Sequence, residues 1–101
     1  MIQIAWSITA FEELEKLPQK AAFEIIDFTD RLASFPELGI SLQHPYSRFG
    51  NCRLLIFRRR YRLIYLFDER QSEIKILMLQ QCRQQLPTMS ELHRTFKETD
   101  Q

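Results

Sequence analysis

Arginine is the residue type in this chain best placed to do chemistry. Apart from Arg70 in the DERQ turn, it falls at Arg53, Arg58, Arg59, Arg60, Arg62 and Arg83, inside and between the apolar runs of CRLLIFRRRYRLIYLFDERQSEIKILMLQQCR, residues 52–83. An arginine within an apolar strand is unfavourable unless it finds a partner or serves a purpose. Guanidinium groups stay charged and fork onto phosphate oxygens, so several on one strand face suit a polyanion such as an RNA backbone. In phosphodiester cleavage they can also neutralise the charge of a pentavalent phosphorane. The competing reading is a structural, salt-bridged face, with Arg62 held by a carboxylate such as Glu91 or Glu98.

The net charge of +1 conceals a gradient. Residues 11–37 sum to −4 and residues 68–101 to −1. Residues 38–67, which include Arg48, hold six arginines and no acid, a sum of +6. A polarised surface of this kind steers charged partners. Arg58, Arg59, Arg60, Arg48 and Lys75 are the candidate nucleic-acid contacts; Arg62, Arg83 and Arg53 are the candidate catalytic ones. The two cysteines, Cys52 and Cys82, lack metal-ligand spacing and read as free thiols of a reducing compartment. No metal or other cofactor is expected. No apolar run approaches the roughly 20 residues that span a bilayer. The N-terminus turns acidic without a basic leader, so the expected location is the cytoplasm, away from membranes.

The 101 residues allow one domain with one modest core. Residues 2–6, IQIAW, alternate as a short strand does. Ser7 or Thr9 reads as the cap of a first helix, with Ala10, Leu14 and Leu17 on its apolar stripe. A second helix is expected from Gln19 to Phe35, stopped by Pro36. Residues 36–51 form a loop region that includes His44 and Tyr46. Thr88 or Ser90 can cap a short C-terminal helix carrying Met89, Leu92, His93 and Phe96.

Parity sorts the three later strands. Pairing Asp68 with Glu73 sets Arg62 opposite Leu79, Ile64 opposite Leu77 and Leu66 opposite Lys75. Tyr61, Leu63, Tyr65, Phe67, Ile74, Ile76 and Met78 then share the face toward the helices. A two-residue turn at Arg58-Arg59 sets Phe57 opposite Arg60 and Leu54 opposite Leu63, which places Cys52, Leu54 and Ile56 on that same core face. Arg53, Leu55 and Phe57 fall on the other face, so Arg53 joins Arg62 and Arg83 opposite the helices. That turn lacks the Gly or Asn a type I′ hairpin favours, and one residue more would move Arg53 across the sheet.

The order of elements and several local motifs carry a resemblance over nearly the whole chain. They are Trp6-Ser7 leading into a helix with Ala10 and Leu14, a second helix ended by proline with Gly39 soon after, Tyr61-Arg62-Leu63-Ile64-Tyr65, and Cys82-Arg83-Gln84 followed by Pro87. In these the sequence resembles the RelE/ParE superfamily of toxins from bacterial type II toxin–antitoxin modules, some of which serve plasmid stabilisation. The resemblance implies an α+β fold: a small twisted antiparallel sheet of about four strands, two N-terminal helices on one face and a short C-terminal helix. It implies a toxin held by a cognate antitoxin in a hetero-oligomer. For the RelE branch it implies a metal-independent, ribosome-dependent endoribonuclease acting on mRNA. There Arg62 and Arg83 stand at the two strand arginines, with Arg53 near the lysines of a preceding strand. For the ParE branch it implies a poison of DNA gyrase without nuclease chemistry. Related RNases carry Tyr, or His and Tyr, shortly after the last strand, where this chain has Gln84, Gln85, Leu86 and Met89.

Overall fold

The computed structural model describes residues 1–99. In chain order the elements are β1 (Gln3–Trp6), α1 (Ile8–Glu15), α2 (Gln19–Leu32), β2 (Ile40–Ser41), a 3-10 turn (Tyr46–Phe49), β3 (Asn51–Phe57), β4 (Tyr61–Asp68), β5 (Glu73–Gln81) and α3 (Met89–Glu98). They make one five-stranded sheet in the order β1-β5-β4-β3-β2. The sheet is mixed, because β1 runs parallel to β5 while the other pairs are antiparallel. The α+β architecture matches the sequence expectation. The additional strand is the two-residue β2, too short to show any alternation in the loop region where it lies.

Helices cover both faces of the sheet. On one side Ala10, Leu14, Ile25 and Leu32 of α1 and α2 pack on Phe57, Tyr61, Leu63, Tyr65, Ile74, Ile76 and Leu79. On the other, Leu92 of α3 meets Cys52, Leu54, Ile64, Leu66, Leu77 and Met78. Ser7, one of the two expected caps, starts α1 by accepting the Ala10 N–H at 2.9 Å. Its hydroxyl donates in turn to the Leu77 carbonyl at 2.8 Å. Thr9 instead joins α1 to α3, its N–H and hydroxyl both bonding the Glu98 carboxylate, at 2.8 and 3.1 Å. Thr88 opens α3 with a complete capping box to Glu91. The Thr88 N–H and hydroxyl both donate to the Glu91 carboxylate, each at 3.0 Å, and hold it below its ordinary pKa. α2 ends at Leu32, three residues before the expected Phe35.

Two irregularities reset the strand register. The β3–β4 loop has three residues, Arg58, Arg59 and Arg60, so Phe57 pairs with Tyr61 and Leu54 with Ile64. A bulge then interrupts β4–β5: Ile64 pairs with Met78 but Tyr65 with Ile76, leaving Leu77 over. The Ser7 hydroxyl bonds the carbonyl of that extra residue. Asp68 still faces Glu73, and Leu66 faces Lys75, as expected. Beyond the bulge, Arg62 faces Gln80 rather than Leu79. Met78 moves to the α3 side, and Leu79 moves to the α1–α2 side. The longer hairpin loop reverses the whole of β3, so Cys52 and Leu54 lie under α3 while Phe57 joins the α1–α2 core.

Candidate anion-binding site

The register changes divide the arginines differently from the sequence expectation. Arg53 pairs with Tyr65, whose side chain belongs to the α1–α2 core. Its guanidinium bonds the Gly39 carbonyl at 2.7 Å, the Glu37 carbonyl at 3.2 Å, the Glu37 carboxylate at 2.8 Å and the Asn51 side chain at 2.9 Å. Arg53 therefore does not join Arg62 and Arg83. It closes the α2–β2 connection, where Tyr65 Oη accepts the Gly39 N–H and donates to the Pro36 carbonyl. A Cβ on Gly39 would lie 2.8 Å from the Leu54 carbonyl and 2.9 Å from the Tyr65 ring, so glycine is required there. Burial pushes the Tyr65 hydroxyl pKa up.

Arg62 is on the expected face but only 8% exposed. It donates twice to Gln80 Oε1, at 2.7 and 3.2 Å, and also to the Gln84 carbonyl at 2.9 Å and the Cys82 carbonyl at 3.5 Å. No carboxylate from α3 holds it: Glu91 caps its own helix and Glu98 reaches Thr9. The Leu77 bulge makes this arrangement possible, because it puts an amide rather than Leu79 across from the guanidinium.

The backbone that Arg62 holds carries Arg83. The Cys82 N–H extends the β4–β5 ladder by bonding the Arg60 carbonyl at 2.8 Å. The Gln84 side chain accepts the Gln81 N–H at 2.8 Å, and the Gln80 amide donates to the Gln85 carbonyl at 3.3 Å. This folds residues 81–85 against the β3–β4 loop. Arg59, Arg60, Gln81, Cys82 and Arg83 together line an open cleft of about 280 Å³. The three guanidinium-bearing residues are all exposed, and among the described residues neither Arg59 nor Arg83 forms a hydrogen bond or ion pair. Arg60 lies over the Tyr61 ring at 5.9 Å.

The loop presenting Arg59 and Arg60 is strained. Arg58 and Arg59 have φ of 54° and 57°, in the left-handed region that glycine or asparagine ordinarily fills. Each such residue costs about 1–2 kcal/mol. Arg58 leans away from the cleft, pairing with Glu24 of α2 at 2.8 Å and lying over the Phe57 ring at 5.7 Å. Retaining side chains at strained positions is common where a site needs them.

Lys75, a candidate nucleic-acid contact, is 3% exposed beneath α3, with its ammonium 4.4 Å from the Phe96 ring centroid and 3.7 Å from the Glu73 carboxylate. α3 thus shields it from any polymer. Arg48 is exposed on the 3-10 turn, in a separate groove with Phe49, Met89, Ser90, His93 and Phe96. The lining of the arginine cleft holds one thiol, Cys82, and no imidazole or carboxylate. Among the described residues no group of three or more His, Cys, Asp or Glu side chains is placed to hold a metal, and no helix is long and apolar enough to cross a membrane. Cys52 is buried, which pushes its thiol pKa up to about 11.

No protein-family model matches the chain, and no curated protein matches it. Solved structures do. The toxin–antitoxin complex RelBE2 from Mycobacterium tuberculosis matches with a TM-score of 0.69 and 22% identity, over 79% of this chain and 96% of that one. The intact E. coli RelBE toxin–antitoxin complex matches at 0.69 and 13%, over 83% of this chain and 100% of that one. The isolated E. coli RelE toxin matches at 0.68 and 15%, over 95% and 99%. The chain has the RelE fold.

Proposed function

We propose that this protein is the toxin of a type II toxin–antitoxin pair and that it halts translation as a RelE-like, ribosome-dependent mRNA endoribonuclease. The observation that carries this reading is the cleft in which exposed Arg59, Arg60 and Arg83 converge on a space large enough for a phosphate. Arg83 and its neighbours on the loop hold the scissile phosphate and stabilise the charge it gains when the 2′-hydroxyl attacks. Arg62 works from below, fixing the backbone that presents Arg83. The shared fold supports the reading, as do the two matching complexes in which the relative is bound to an antitoxin. A cognate antitoxin is accordingly the expected partner.

Cleavage by the 2′-hydroxyl also needs a proton acceptor and a donor. The cleft lining offers only the Cys82 thiol, so on this reading proton transfer falls to groups of the bound ribosome–mRNA complex. The same feature favours the alternative, a ParE-like gyrase poison that works by binding alone. Adding purified protein to a translating extract separates the two. Cuts in mRNA at the ribosomal A site, lost in Arg83→Ala, support the nuclease. Intact mRNA together with stabilised gyrase–DNA breaks supports the poison.

A further inference from the structure

We propose that the groove between the 3-10 turn and α3 is a nucleobase subsite, holding an unstacked base of the single-stranded RNA whose phosphate occupies the arginine cleft. The inference rests on the RNA reading above and adds a second contact to it. The groove has a volume of about 620 Å³, within the range of small-ligand sites. Phe49, Met89 and Phe96 supply apolar surface, His93 a further ring, and Arg48 and Ser90 hydrogen-bond donors; no carboxylate lines it. Phe49 faces His93 and Phe96 with centroids 6.1 Å away in both cases and ring planes tilted by 39° and 42°. The rings touch one another at a tilt, as aromatic pairs do, so a base would lie against the ring surface that lines the groove and not between the rings. Aromatic faces beside an arginine are what sequence-tolerant recognition of splayed-out bases uses.

Position links this groove to the arginine cleft. The Tyr46 hydroxyl donates to the Pro87 carbonyl at 2.9 Å, pinning the turn that carries Arg48 and Phe49 to the segment entering α3. That segment begins at Arg83 and reaches the groove at Met89, and six residues span at most about 20 Å. A short stretch of RNA covers that distance. An acidic peptide would also satisfy Arg48, but the aromatic lining and the proximity of the arginine cleft favour RNA.

The test uses a single-stranded RNA hexamer carrying 2-aminopurine at one position at a time, bound to the full chain. Stacking should quench fluorescence at one position. Phe49→Leu keeps apolar volume but removes the ring; it should abolish that quench and weaken binding about 5- to 150-fold, with the salt dependence unchanged. His93→Ala, at an exposed position, should act in the same direction without the risk of misfolding. Arg83→Ala should instead reduce the salt dependence and leave the quench in place. Wild-type quench and affinity in both Phe49→Leu and His93→Ala overturn the subsite. So does weakened binding of an acidic peptide, with RNA binding intact, which assigns the groove to a protein partner. If the wild-type chain binds no RNA, the arginine-cleft reading falls first and the subsite with it.

Discussion

Two groups of arginines serve opposite purposes in one sheet. Arg53 and Arg62 lie within strands and have their guanidinium groups engaged by carbonyls, side-chain oxygens and, for Arg53, a carboxylate. Arg59, Arg60 and Arg83 lie in loops at the strand ends, exposed around one cleft. The first group satisfies the requirement that a buried charge be hydrogen-bonded, and in doing so fixes backbone. The second group is the one that the proposed function assigns to the ligand. Each strand arginine thus acts as a strap: Arg62 holds the segment that carries Arg83, and Arg53 holds the α2–β2 connection, away from the cleft.

The largest expected effect is on activity. Arg83→Ala should lower RNA cleavage by about 10²-fold or more, the usual size for losing a group that stabilises transition-state charge. Its thermal stability should stay within about 0.5 kcal/mol of wild type, as for an exposed side chain without partners. Cleavage kinetics and a melting curve on the same sample check both halves. Arg62→Ala should lose activity too, but together with about 1–3 kcal/mol of stability, because the Gln80 and Gln84 oxygens lose their donor. A fall in Tm of roughly 4–8 °C per kcal/mol would show it. Equal stability of the two variants would erase the distinction between strap and ligand contact.

Arg59→Gly sharpens the comparison by moving stability and function in opposite directions. Relief of the left-handed backbone should add about 0.5–1 kcal/mol while RNA affinity falls, readable from melting and binding measurements. Arg53→Ala should leave RNA affinity at the wild-type value and lower stability by about 1 kcal/mol, since its partners lie at the α2–β2 connection. The smallest effect concerns the thiols. Cys52, with its folded pKa raised above the ordinary 9.0 to about 11, contributes stability that is fully present below pH 9 and lost as pH rises toward 11. Cys52→Ala should flatten that alkaline decline, and a thiol reagent should modify half-buried Cys82 before Cys52.

Much of the fold was legible in the sequence. The stripes of α1 and α2 and the Asp68–Glu73 pairing rest on local pattern and recur in the structure, whereas α2 ends three residues short of the Phe35 expected from the stop at Pro36. The site was less legible because its geometry depends on two single-residue irregularities. An alternating apolar run does not show that Leu77 is extra, since its neighbours Ile76 and Met78 are equally apolar. Arg60 looks the same whether it pairs or lies in the loop, and that one residue carries Arg53 across the sheet. β2 was invisible because two residues have no period. Gln80, whose side-chain oxygen receives Arg62, carries only a faint signal: one amide near the end of an apolar strand that faces an arginine. The Gln84 contact carries none, because it is made by the backbone carbonyl. Strand parity pairs Lys75 with Leu66 correctly, but it does not say that α3 covers the side chain.

The most direct measurement is the salt dependence of binding a short single-stranded RNA. Each phosphate contact to a cationic side chain contributes about 0.7 to the slope of log K against log salt concentration. Arg59→Ala, Arg60→Ala and Arg83→Ala should each reduce that slope by roughly this amount, while Arg53→Ala should leave it at the wild-type value. A slope lowered by Arg53→Ala and untouched by Arg83→Ala would contradict the assignment of the cleft.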